Sequence, residues 1–138
     1  MNKVCILLII GLFSTTNLFS QKKISVDSIK NILCKKWEFV YAQLNEKKIE
    51  RISDTSKIYY IFKKNGTFEI ITNQIIDSRK CSWVFENKNQ IIRLFINDIN
   101  IGVISLIKEH ELILKIDLNN FFNIDLKPIQ LVFKSNIE

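Results

Sequence analysis

The sequence predicts an all-β domain: eight antiparallel strands wound as an up-and-down barrel behind a short N-terminal helix. Two observations carry this. From Lys36 onward the chain is rich in Ile, Phe, Tyr and Val, in short runs broken by polar turns. The turns also differ in length along the chain, short and long in alternation for much of it, as an up-and-down meander with a closed base and an open mouth requires.

The elements follow in order. Val26, Ile29, Ile32 and Leu33 fall at helical spacing, with Ser25 or Asp27 as the cap, so a helix is expected over Ser25–Cys34. Strands are expected over Lys36–Leu44, Lys57–Lys63, Thr67–Thr72, Arg79–Glu86, Gln90–Asn97, Asn100–Lys108, Glu111–Leu118 and Lys127–Ser135. Asn65-Gly66 is the strongest hairpin signal and predicts a type I′ turn with positive φ at both residues. Asn87-Lys88-Asn89 and Glu109-His110 are the other turns of the base. The connection 45–56 is long and charged, with Glu46, Lys47, Lys48, Glu50 and Arg51. Pro128 sits near a strand start, where a missing donor is tolerated. The run Ile91-Ile92-Arg93-Leu94-Phe95-Ile96 is apolar on both faces, so its outer side is expected under the helix or a second subunit.

Length and composition bound the rest. At 138 residues, 47% hydrophobic and 25% charged, the chain is one folded domain. Lys3 precedes an apolar run from Val4 to Phe13, then the polar stretch Ser14-Thr15-Thr16-Asn17, with Ser20 before a cut at Gln21. That run is shorter than the ~20 residues that span a bilayer. It reads as a secretory leader over residues 1–20. The domain is then 21–138, extracytoplasmic (periplasmic or secreted), with no membrane span in the mature chain. Cys5 lies too early in the run to be a lipid anchor.

The formal charge of +6 does not read as a nucleic-acid footprint. Arg, the residue suited to bidentate phosphate and base contacts, occurs three times, and the lysines are scattered. One histidine and three glycines disfavour His-based catalysis, multi-His metal sites and phosphate-cradling loops. His110 reads as an exposed turn residue. No catalytic residue, metal ligand or cofactor is expected, and the protein is not read as an enzyme. In an oxidising compartment Cys34 and Cys81 would by default pair. A meander sets them about 20 Å or more apart, at ~3.3 Å of rise per residue, beyond the reach of a disulfide. Free thiols are therefore favoured.

Several phrases resemble a known family. Leu33-Cys34-Lys35-Lys36-Trp37 is similar to the Leu-x-Gly-x-Trp that opens lipocalin-like barrels. Lys63-Lys64-Asn65-Gly66-Thr67-Phe68 resembles the hairpin of small secreted bacterial lipocalin-like proteins. Cys81-Ser82-Trp83 stands where that group has Gly-Thr-Trp, and Ile107-Lys108-Glu109-His110-Glu111-Leu112 is similar to its late hairpin. Lys35 and Cys81 replace two glycines of the pattern. The resemblance covers about Ile29 to Lys134 and implies a calycin-type barrel with a small-molecule pocket. It also implies a basic residue of the last strand, here Lys134, stacked on Trp37.

The interior aromatics are expected to include Trp37, Phe39, Tyr41, Tyr60, Phe62, Phe68 and Trp83, filling the base and leaving any pocket near the mouth. The ligand-binding candidates are Tyr41, Tyr60, Phe68, Trp83, Arg93, Phe121 and Phe122. Arg93 would meet a carboxylate on the ligand, pair with Glu69 or Glu86, or snorkel outward. Phe121 and Phe122 would lie at the mouth as a contact surface or a plug. Two functions remain: a barrel that binds a small apolar or amphipathic ligand, and a filled barrel acting by protein contact as an inhibitor, immunity-type factor or envelope accessory.

Overall fold

The computed structural model describes residues 22–50, 56–122, 125 and 127–135. The expected leader, its cut before Gln21, and Arg51 lie outside the described residues. Among those described, no helix is long and apolar enough to cross a membrane.

Helix α1 (Val26–Leu33) forms where the spacing predicts it. The Ser25 hydroxyl accepts from the Ser28 N–H at the start, and the Cys34 N–H donates to the Lys30 carbonyl at the end. Its apolar stripe, Ile29 and Leu33, enters the interior one turn apart.

Ten strands follow: β1 (Lys36–Leu44), β2 (Lys47–Glu50), β3 (Ile58–Phe62), β4 (Phe68–Thr72), β5 (Ile75–Ile76), β6 (Cys81–Glu86), β7 (Ile91–Ile96), β8 (Ile99–Ile107), β9 (Glu111–Ile116) and β10 (Ile129–Lys134). A short helix, α2 (Asn119–Phe122), precedes β10. All pairings are antiparallel, in the order β5-β4-β3-β1-β10-β9-β8-β7-β6, with β2 also on β1. The result is a curled sheet, an open half-barrel rather than the closed eight-stranded barrel expected. The expected strands are all present: β1 has the expected bounds, β8 is shifted by one residue, the others are shorter by one to three residues, and β2 and β5 are additional.

The barrel stays open because the outer edge of β4 is divided. Its mouth end, Ile71 and Thr72, pairs with Ile76 and Ile75 of β5. Only Thr67, at the base, meets β6, through a bridge to Ser82 and a bond from the Trp83 N–H to the Gly66 carbonyl, 2.8 Å. The two ends of the sheet therefore touch at the base and separate above it.

Turn chemistry also departs from expectation. At Asn65-Gly66 only Gly66 has positive φ, +84°. Its N–H donates to the Lys63 carbonyl, and the Asn65 side chain accepts from the Thr67 N–H and hydroxyl. This is a tight turn closed by a glycine in the left-handed region, not a type I′ pair. Turns with both central residues left-handed occur instead at the mouth, at Asn45-Glu46, Asn73-Gln74 and Asn97-Asp98. Each begins with Asn, which tolerates that region. Two of them replace connections expected to be long.

The base is solid. Trp37 is fully buried and its Nε1–H donates to the Leu33 carbonyl, 2.9 Å. Phe62, Phe68, Tyr60 and Phe133 form one ring cluster, with Tyr60 and Phe133 centroids 4.8 Å apart. Such ring pairs contribute about 0.5–1.5 kcal/mol each beyond their burial. The residue over Trp37 is Lys35, 4.9 Å from the ring centroid, not Lys134, which is exposed. Lys35 lies on the link into β1, so it needs no long-range register to reach the ring. Because α1 sends Ile29 and Leu33 inward, it does not cover the outer side of β7.

Gly102, on β8 beside a bulge, allows β8 and β9 to approach closely. A Cβ there would lie 2.2 Å from the Lys115 carbonyl oxygen and 3.0 Å from the Ile116 Cα. Both atoms belong to the backbone and cannot swing aside. Gly102→Ala is expected to destabilise the fold by about 2–3 kcal/mol. Urea unfolding would show this as a lower midpoint with an unchanged slope.

Candidate functional site

Above the aromatic base the interior opens into a cleft of about 420 Å³. Ile58 and Tyr60 come from β3, Ile70 and Thr72 from β4, Ile96 from β7, and Ile101 and Ile116 from β8 and β9. Leu118 and Phe122 close it from the α2 side. The link between β5 and β6 supplies Asp77 and Arg79. The walls are thus mostly branched aliphatic, with the hydroxyls of Tyr60 and Thr72 and the charged pair of the β5–β6 link as the polar groups, as in ordinary small-ligand sites.

The aliphatic walls follow from strand alternation. Residues two apart share a face, so Tyr60 and Ile58 point inward together, as do Ile70 and Thr72. The polar side depends on local hydrogen bonding. Asp77 accepts from the Arg79 backbone N–H at 2.9 Å and from its Nε at 3.0 Å through each oxygen, and also from Nη2. The Asp77 N–H donates to the Ile70 carbonyl, 2.8 Å, which fixes this link against β4. The hydrogen bonds from Arg79 hold the Asp77 carboxyl down to about 2.

Tyr60 is 8% exposed. Burial, with smaller effects from the neighbouring Cys81 and Asp77, pushes its phenol up to about 12. Cys81 is buried beside it, its Sγ 3.5 Å from the Arg79 carbonyl, and desolvation raises its thiol above the usual range. The thiol of Cys34 is raised for the same reason. Both cysteines are free, and neither is poised as a thiolate.

Of the seven candidates, Tyr60 and Phe122 line the cleft, and Phe122 is 61% exposed at its rim. Phe68 is buried beneath it, stacked on Tyr60 at 5.7 Å. Trp83 belongs to the base, where its Nε1–H donates to the Lys63 carbonyl, 3.0 Å. The Phe121 side chain lies outside what the structure describes.

Tyr41 and Arg93 face away from the interior. A bulge in β1 between Phe39 and Tyr41 reverses the alternation: Phe39 pairs with the interior Phe133, but Tyr41 pairs with Val132 on the other face. Lys48 covers the Tyr41 ring at 4.6 Å. Arg93 lies between the inward Ile92 and Leu94, opposite the exposed Val84, and pairs with Glu86. Glu69 pairs instead with Lys63.

His110 is exposed and sits 3.3 Å from the Ser135 hydroxyl. Among the described residues no group of three or more His, Cys, Asp or Glu side chains could hold a metal ion. The sequence reading missed Asp77 and Arg79 because they lie on a link, where no periodicity marks direction. The Asp-x-Arg spacing beside a strand start was the available signal.

No family model, curated protein or solved structure matches this chain.

The Asp77–Arg79 pair has a defined pH signature. A carboxyl held low in the folded state adds stability above its unfolded pKa of about 4, and that stability is lost as pH falls through the folded value. Asp77→Asn should therefore melt below the wild type at neutral pH, and the gap should close between about pH 4 and pH 2. Thermal melts across that range check it; a gap independent of pH would contradict the pairing.

Proposed function

We propose that this chain is an extracytoplasmic, lipocalin-like binding protein that holds a small apolar or amphipathic molecule in the mouth of its half-barrel. The observation that carries the reading is the mouth cleft itself. Its volume falls within the range of small-ligand sites, and its walls are aliphatic with a few polar groups on one side. The filled base supports it, since tight packing below leaves the mouth as the place for a guest. Routing out of the cytoplasm rests on the leader-like residues 1–20.

A second reading has its own support. Exposed apolar side chains gather on the mouth hairpins: Ile75 at 73%, Ile76 at 57% and Ile99 at 48%, together with Phe122. Such a rim suits contact with another protein.

Ile96→Trp separates the two, because it fills the cleft and leaves the rim intact. The uncharged fluorophore N-phenylnaphthylamine should bind the wild type saturably and the variant at least about tenfold more weakly. Equal binding by both would remove the cleft as the site. Protein contact should instead survive Ile96→Trp and fail on Phe122→Asp.

A further inference from the structure

The Tyr60 hydroxyl differs from the other buried polar groups. The indole N–H groups of Trp37 and Trp83 each donate to a backbone carbonyl. Every side-chain nitrogen or oxygen fully removed from solvent among the described residues has a partner. Tyr60 is more than nine-tenths buried, yet no hydrogen bond to its hydroxyl is found among the described residues, and the residue lines the cleft. Because no fully buried polar side-chain atom among the described residues lacks a partner, this oxygen keeps some contact with solvent in the cleft, where the acceptor of a guest can meet it.

Arg79 borders the same cleft. Its Nε and Nη2 bond Asp77, and a guanidinium has five N–H donors, so part of the fork remains available. Both Asp77 oxygens already accept from Arg79, so this side of the cleft offers donors rather than acceptors.

We propose that Tyr60 and Arg79 form a head-group site for a single-chain carboxylate amphiphile. The carboxylate accepts from the phenol and from the free edge of the guanidinium, and the tail lies along Ile96, Ile101 and Ile116. This rests on the cleft being the binding site. The phenol is a donor throughout the neutral range, because burial pushes its titration up to about 12. The Asp77 carboxylate is already neutralised by Arg79, and the chain's positive net charge favours an anion over a cation.

The test displaces N-phenylnaphthylamine from the purified protein with dodecanoate, and in parallel with dodecyltrimethylammonium, which has the same tail and the opposite head. Dodecanoate is expected to compete at much lower concentration. Tyr60→Phe should weaken dodecanoate about tenfold or more, and by a much larger factor than it changes the affinity for the fluorophore or for dodecyltrimethylammonium. Arg79→Gln, outside the aromatic core, should also weaken dodecanoate selectively, and serves if Tyr60→Phe perturbs folding. If the fluorophore binds but the two amphiphiles compete equally, or both variants hold dodecanoate like the wild type, the head-group site is wrong and the cleft stands. If no fluorophore binds the wild type saturably, the cleft reading and the head-group site fall together.

Discussion

The outer edge of β4 can be used only once, and how it is shared sets the shape of the molecule. A strand edge offers one row of N–H and C=O groups. The left-handed turn at Asn73-Gln74 returns the chain at once, so Ile75 and Ile76 take the mouth half of that row. Strand β6 is left with Thr67. Seven of the eight neighbour pairings of a closed meander therefore form, and the eighth is reduced to a bridge at the base. The chain between β5 and β6 then crosses the rim with Asp77 and Arg79 on it. An uninterrupted β4–β6 ladder would draw this link into a strand.

The base has the opposite character. Leu33 from α1, Trp37 from β1, Phe68 from β4, Trp83 from β6 and Phe133 from β10 belong to one buried cluster, and among the described residues no buried side-chain polar atom lacks a partner. Both indoles are tied to the backbone, one to the end of α1 and one to the turn below β3. Tyr60 marks the boundary between the two regimes. Its ring packs downward on Phe68 and Phe133, and the residue borders the mouth cleft.

The strands and α1 were legible because periodicity reports burial directly. The alternation of Trp37 and Phe39 and of Tyr60 and Phe62 shows which side faces inward, whereas Ile91–Ile96 is apolar on both faces and only the structure turns Ile92 and Leu94 inward. Tyr41 was misplaced because one bulge inverts the parity of everything after it, and a bulge leaves no mark on alternation. The extra strands were illegible for a different reason. Lys47–Glu50 and Ile75–Ile76 are too short for a period, and their turns lack glycine, although each starts with Asn. Opening of the barrel followed from that omission. The polar side of the cleft was missed with it, because Asp77 and Arg79 owe their positions to hydrogen bonds along a link.

The divided edge is tested most directly by NMR cross-strand contacts between backbone protons. Contacts are expected for Thr67 with Ser82, Ile71 with Ile76 and Thr72 with Ile75, and no ladder should continue from Thr67–Ser82 towards the mouth. Contacts running on to Glu69–Lys80 and Ile71–Ser78, with those to β5 missing, would show a closed barrel and contradict the divided edge.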